Sequence, residues 1–275
     1  MSCWIDLLLD IANSVYKAVN PLIGKAVSRR IIGFRAGGDI TRYIDVVAEK
    51  AVLDSVKRNK VNCTLISEEM GVKKLGNEQE VYLVVDAVDG TTNATRGLSF
   101  VSTSIAASEV NRFSGIESAV VMNLIDGGTY TAVKGEGSKF NGVRIAPSRR
   151  RDLSYAVVSV DLSKSPTSVD VVTPLLKEVG ALRALGSAAL EICHVASGKL
   201  DAYVDVRNKL RTTDIAAATL IIKEAGGLIL QPDGEPLRDV NLTEVNRFSL
   251  VAAGNKRLFE SIRRLLKSKE CSKGR

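Results

Sequence analysis

Apolar residues recur at helical spacing at the start of the chain: Ile5, Leu8, Ala12, Val15 and Val19 share one face, and Pro21 interrupts the pattern. An opening amphipathic helix is therefore expected. A second helical run carries Ile44, Val47, Ala51, Val52 and Val56 on one side, with Asp39 in the N-cap position and Asp45 near the helix start. Short β-like runs at 64–67 and 81–85 each end in carboxylates, and the polar residues 71–80 between them read as a mobile loop. Residues 100–108, 116–123 and 129–134 read as successive strands, the last two joined as a hairpin by Asp126, Gly127 and Gly128.

Past residues 149–152 the pattern changes to alternation. Strands are expected near 156–160, 184–185, 202–206, 228–230 and 249–252, and helices centred on Val172, Ile192, Leu220 and Ile262 lie between them. This predicts an α+β first half, residues 1–148, and an α/β second half, residues 149–275. No internal repeat or low-complexity segment is visible.

With 275 residues the chain is long enough for one large globule or two packed domains. Its 45% hydrophobic and 25% charged content excludes disorder as the organising principle. The apolar stretches 7–9 and 250–253 fall far short of the about 20 residues of a membrane span, and the opening Met-Ser-Cys-Trp has no basic lead. No membrane association is expected, and a cytoplasmic location is. Cys3, Cys63, Cys193 and Cys271 lack zinc-site spacing and read as reduced structural thiols. The net charge of +7 raises nucleic acid as a partner, but only 5% of residues are aromatic and they do not interleave with the basic ones. Attraction of small anionic substrates fits as well. The basic clusters at 149–151 and 263–269 read as solvated faces, and the single histidine, His194, as a packed core residue.

The candidate chemistry begins at Val84-Val85-Asp86-Ala87-Val88-Asp89-Gly90-Thr91-Thr92-Asn93. Two carboxylates following a buried strand are unfavourable unless a cation neutralises them. Oxygen ligands with no neighbouring His or Cys favour Mg²⁺, or Mn²⁺, over zinc, and the Val88 carbonyl can add one more. The N–H groups of Gly90, Thr91 and Thr92 would face an anion if a helix starts there. Taken alone, Asp-Gly also marks turns. Glu68-Glu69 alone could be a solvated loop, and Asp214 in Thr212-Thr213-Asp214 a plain N-cap.

Together these segments resemble the inositol monophosphatase superfamily, closest to its archaeal branch of dual inositol monophosphatase and fructose-1,6-bisphosphatase activity. The resemblance is carried by Glu68-Glu69, Asp86 to Asn93, Gly186-Ser187-Ala188-Ala189, and Asp214-Ile215-Ala216-Ala217 followed by Glu224-Ala225-Gly226-Gly227. It implies a layered αβαβα sandwich and a Mg²⁺-dependent phosphomonoesterase with two or three ions, held by Glu68, Asp86, the Val88 carbonyl, Asp89 and Asp214. Asp45 and Thr91 match the pair that orients the attacking water, with Glu69 close by. Ala87 stands where the family commonly has Pro, which removes a rigid φ but no ligand.

For the substrate, a small sugar or cyclitol phosphate, the resemblance points to Gly186, Ser187 and Ala188 and to Asp205 as a hydroxyl acceptor. Asp205 could equally be a strand-end surface acid. Arg207, Lys209 and Arg211 could meet a second phosphate or simply be exposed. A homodimer or homotetramer is expected. The competing functions are a 3′-phosphoadenosine 5′-phosphate phosphatase and, outside enzymes, a nucleic-acid-binding module, which would leave the acidic motifs unexplained.

Overall fold

The computed structural model of the chain describes residues 4–34, 40–78 and 81–267. In chain order its first elements are α1 (Ile5–Val19), β1 (Ile31–Phe34), β2 (Ile40–Arg42), α2 (Tyr43–Arg58), β3 (Cys63–Ser67), β4 (Gly71–Leu75), β5 (Val81–Asp89) and α3 (Thr91–Arg96). Next come β6 (Ser102–Ser108), β7 (Ile116–Asn123), β8 (Thr129–Val133), β9 (Gly137–Phe140), β10 (Val143–Arg144), β11 (Val157–Val160) and α4 (Pro166–Leu176). The remainder is β12 (Ala181–Arg183), α5 (Ala188–Ala196), β13 (Ala202–Arg211), α6 (Thr212–Glu224), β14 (Leu228–Leu230), β15 (Arg247–Ala253) and α7 (Lys256–Lys267).

The strands form an eight-stranded sheet in the order β10-β9-β8-β7-β6-β5-β3-β4, a five-stranded sheet in the order β12-β11-β13-β15-β14, and the β1-β2 hairpin. Alternation along each strand decides what each face covers. Leu65, Leu83, Val85, Ile105 and Val120 join Leu8, Ile11, Val15, Ile44 and Val52 of α1 and α2 in one core. The intervening Ile66, Val84, Ala106, Ala119 and Val121 pack with Ile192, Val195, Ile215, Ile221 and Ile222 of α5 and α6. The same middle core takes Tyr203, Leu250 and Ala252 from the second sheet, whose other face packs Val158, Val204 and Val251 against Val172, Phe259 and Ile262 of α4 and α7. The result is the expected αβαβα order of layers. No helix among the described residues is long and apolar enough to cross a membrane.

Four local expectations change. Helix α2 starts at Tyr43 with Arg42 as its N-cap, and Asp39 lies outside the described residues. Its buried face carries Asp45, Ala48 and Glu49 in place of the expected Val47 and Ala51, which are only partly buried. Residues 71–75 form strand β4 rather than a loop, antiparallel to β3 with Ser67 opposite Gly71. They look polar because an edge strand with exposed Lys73 and Lys74 discourages further strand pairing. The strand expected at 184–185 lies at 181–183, where its backbone pairs with β11.

Two features of the first sheet position the acids. β3 and β5 are parallel neighbours with Ser67 opposite Val85, so the chain leaving β3 sets Glu68 beside Asp86. β5 continues past Val85, where the sequence pattern stopped it, through Asp89. Its pairing with β6 is irregular between Asp86 and Asp89, a bulge that re-aims side chains at the end of a strand.

Candidate active site

Three carboxylates from three separate elements converge. One oxygen each from Glu68, Asp86 and Asp214 lies within 4.8 Å of the other two. Glu68 follows β3, Asp86 lies in β5, and Asp214 is the third residue of α6, which places its N-terminus between the two sheets. Asp214 is both the expected cap and more than a cap: its Oδ2 accepts the Arg211 backbone N–H at 2.9 Å, and Oδ1 is 3.1 Å from the Thr213 hydroxyl.

So close a grouping is electrostatically unfavourable without a counter-ion. Burial, then the charges of Glu68, Asp89 and Asp214, holds the Asp86 carboxyl well above the usual carboxylate range. Burial likewise pushes Asp89 up to about 8, with Asp214 adding to it, and Asp214 to about 6, with Glu68 adding to it. The guanidinium of Arg211 pairs with Glu68. The donor set is all oxygen, and the Val88 carbonyl oxygen, 3.1 Å from the Thr91 hydroxyl, lies beside the acids as a further acceptor. This set suits a hard divalent cation.

Asp89 stands slightly apart from that trio. Its Oδ2 accepts the Ser187 hydroxyl at 2.7 Å and the Ala189 N–H at 2.8 Å. Gly186, Ser187 and Ala188, which the resemblance assigned to the substrate ring, therefore open α5 against a carboxylate of the metal-side cluster. A helix N-terminus is a favourable place for that charge.

The expected orienting pair is in contact. The Thr91 hydroxyl lies 3.0 Å from Asp45 Oδ1, and Asp45 Oδ2 accepts the Arg42 N–H at 2.8 Å. Glu69 Oε2 accepts the Thr41 hydroxyl at 2.6 Å. Gly90 starts α3 at φ +94°, where a Cβ would sit 3.0 Å from the Gly186 carbonyl, so this turn requires glycine. The first helical bond runs from Ala94 N–H to the Gly90 carbonyl, so the N–H groups of Thr91 and Thr92 are left without helical partners.

A cleft of about 730 Å³ opens over the acids, and Gly90, Thr91 and Thr92 line it together with Arg42, Lys164, Arg207, Lys209, Arg211 and Arg247. The three basic residues singled out from sequence all reach it, but in different states. Arg207 grips Asp205 through Nε and Nη2 and also bridges to Asp161, at 2.7 Å, and to the Ser163 carbonyl. Asp205 is fully buried under this clamp, so its carboxylate serves Arg207 rather than the cleft. It is not the surface acid that was the other possibility. Lys209 is exposed, with its ammonium on the Lys164 carbonyl.

His194 packs edge-on to Phe100, ring centroids 5.3 Å apart, and burial holds its pKa down to about 4. Cys63 and Cys193 are both buried, while Cys3 and Cys271 lie outside the described residues. Two roles were not read from the sequence. Asn93 ties α3 to the second half by donating to the Phe100 and Leu185 carbonyls at 2.8 and 2.7 Å. Glu49 is a buried acid whose spacing of four from Asp45 was the available signal, since i and i+4 share a helix face. Burial pushes Glu49 up to about 7.

Comparison with known proteins agrees with this geometry. The sequence pattern of the inositol monophosphatase family matches residues 4–270. A fructose-1,6-bisphosphatase/inositol-1-monophosphatase of Methanothermobacter thermautotrophicus is 35% identical over 272 residues, covering 96% of both chains. A bifunctional NADP phosphatase/NAD kinase of Methanococcus maripaludis is 33% identical over 94% of this chain, which spans 48% of that larger protein. The crystal structure of an inositol monophosphatase-fructose 1,6 bisphosphatase superposes with a TM-score of 0.83 at 30% identity, covering 96% of this chain and all of the other. A match over nearly the whole length, on a fold that gathers hard oxygen ligands under a cationic cleft, settles the affiliation: the chain belongs to the inositol monophosphatase family and is a metal-dependent phosphatase.

Proposed function

We propose that the chain removes the phosphate of inositol 1-phosphate and the 1-phosphate of fructose 1,6-bisphosphate, with two or three Mg²⁺ ions as cofactor. The observation that carries this is the meeting of Glu68, Asp86 and Asp214 beneath a basic cleft. Those three, with Asp89 and the Val88 carbonyl, would hold the ions. When bound, divalent cations lower the pKa of water and neutralise charge on the attacking and leaving oxygens at phosphorus.

The chain's own residues do the rest. Thr91 donates its single hydroxyl proton to Asp45, and its lone pair is then the acceptor that aims the attacking water. Asp45 is held for this by the Arg42 N–H. The N–H groups of Gly90, Thr91 and Thr92 bind the phosphate oxygens. The water oxygen bonds to phosphorus as the P–O ester bond breaks; the water gives up one proton and the departing sugar oxygen takes up one, leaving inorganic phosphate and the free alcohol.

Asp45→Asn keeps the size of the side chain but offers Thr91 an amide as well as an acceptor, so the hydroxyl loses its fixed direction. Turnover is expected to fall roughly 10²-fold with KM within about threefold, in line with loss of one proton-handling partner; steady-state kinetics check it, and unchanged kcat would remove the role.

Among the basic residues, Lys209 is the better placed to meet a second phosphate, because Arg207 is committed to Asp161 and Asp205. Lys209→Ala is expected to raise KM for the bisphosphate about tenfold, the value of one charge-assisted hydrogen bond, and to leave inositol 1-phosphate unaffected. The decisive assay is phosphate release from both substrates, from 3′-phosphoadenosine 5′-phosphate and from NADP, each with and without Mg²⁺. Preference for either nucleotide would overturn the substrate assignment.

A further inference from the structure

One buried carboxylate of the site has no assigned task. Glu49, one turn after Asp45 on α2, is 4% exposed. Its Oε1 accepts the Glu69 backbone N–H at 3.3 Å. Its Oε2 is buried and has no hydrogen-bond partner among the described residues. A buried, unpartnered carboxylate oxygen costs stability unless something donates to it or neutralises it.

The surroundings say what that is. Glu49 lines a small chamber of about 10 Å³ with Asp45, Glu68, Glu69, Asp86, Val88 and Thr91. That is the space of a single water or a single small ion. No basic side chain is among the described residues that line the chamber, and a cation bound there would supply a counter-charge. Two of the proposed cation ligands, Glu68 and Asp86, border the same space.

We propose that Glu49 is a positioning residue of the cation site. Its Oε2 accepts a hydrogen bond from one ordered water on the divalent cation held by Glu68 and Asp86. Its Oε1 meanwhile fixes the turn from which Glu68 projects. The spacing of four on α2 thereby gives one buried helix face two tasks, Asp45 toward Thr91 and Glu49 toward the cation. This rests on the metal assignment above.

The test titrates Mn²⁺ into wild-type, Glu49→Gln and Glu49→Asp protein without substrate, following the electron paramagnetic resonance signal of free Mn²⁺, with thermal melts alongside. Gln retains an oxygen for the Glu69 N–H but replaces the acceptor facing the chamber with a donor. It is expected to melt no lower than wild type and to bind Mn²⁺ roughly tenfold more weakly, as for other partners of metal-bound groups. Asp, which keeps the acceptor on a shorter arm, falls between the two. Equal affinity in wild type and Glu49→Gln would overturn this inference alone. A wild-type protein that takes up no Mn²⁺ would overturn it together with the metal assignment.

Discussion

Asp86→Asn is expected to hydrolyse phosphomonoesters roughly 10³-fold more slowly than wild type, while its metal-free form melts at a higher temperature near pH 8. The first effect follows from removing an anionic ligand from the centre of the site. Metal-centred charge stabilisation is worth several kcal/mol, and about 4 kcal/mol corresponds to three orders of magnitude. The second follows from burial. Asp86 is 3% exposed and faces Glu68, Asp89 and Asp214, so its ionised form opposes folding. Asn keeps an oxygen for the Val88 N–H, which Asp86 Oδ1 accepts at 3.1 Å, and discards the charge. The gain is on the order of 3 °C for each kcal/mol relieved in a chain of this size. It diminishes toward pH 5, as the wild-type carboxyl takes up its proton. Phosphate-release kinetics and melts at the two pH values check both halves; a variant that is slower and also less stable at pH 8 would contradict the electrostatic account.

The metal-free protein as a whole loses stability as pH rises. Asp86, Asp89, Asp214 and Glu49 all have folded-state pKa values above their ordinary ones, with Asp89 at about 8, Glu49 at about 7 and Asp214 at about 6. A raised pKa means that the folded state holds protons the unfolded chain releases. The associated stability is therefore complete below the ordinary carboxylate range and drains away as pH climbs through 6 to 8. A divalent cation has to displace those same protons, so its binding strengthens over the same window. Mg²⁺ is expected to raise Tm little near pH 5 and by roughly 5–10 °C near pH 8 at saturating concentration. Chelator reverses the shift and abolishes hydrolysis. A Tm that stays flat with pH, or a Mg²⁺ shift equal at both ends, would contradict this.

Much of the chemistry was legible because it is written locally. Asp86, Asp89 and Gly90 sit in one short run, and the strand before them is apolar enough to imply that the acids are buried. Asp214 was legible only through resemblance, since its contact with Glu68 depends on α6 lying between two sheets. Glu49 was missed because a search for apolar stripes discards an acid, although on α2 two acids share the buried face. Strand β4 was missed for the mirror reason: its ladder to β3 is made by backbone groups, which its polar side chains do not announce.

Asp205 and Ser187 show a different limit. Sequence identified both as important polar positions, but not whom they serve. The structure gives Asp205 to Arg207 and Ser187 to Asp89, partners set by the packing of β13 and α5 rather than by spacing along the chain.

The most direct measurement is anomalous diffraction from crystals soaked in Mn²⁺. Ions within about 2.5 Å of carboxylate oxygens of Glu68, Asp86 and Asp214 are the predicted result. Strong Mn²⁺ peaks confined to other parts of the molecule, or none under conditions that sustain phosphate release, would contradict the claim that these separated acids form one metal centre.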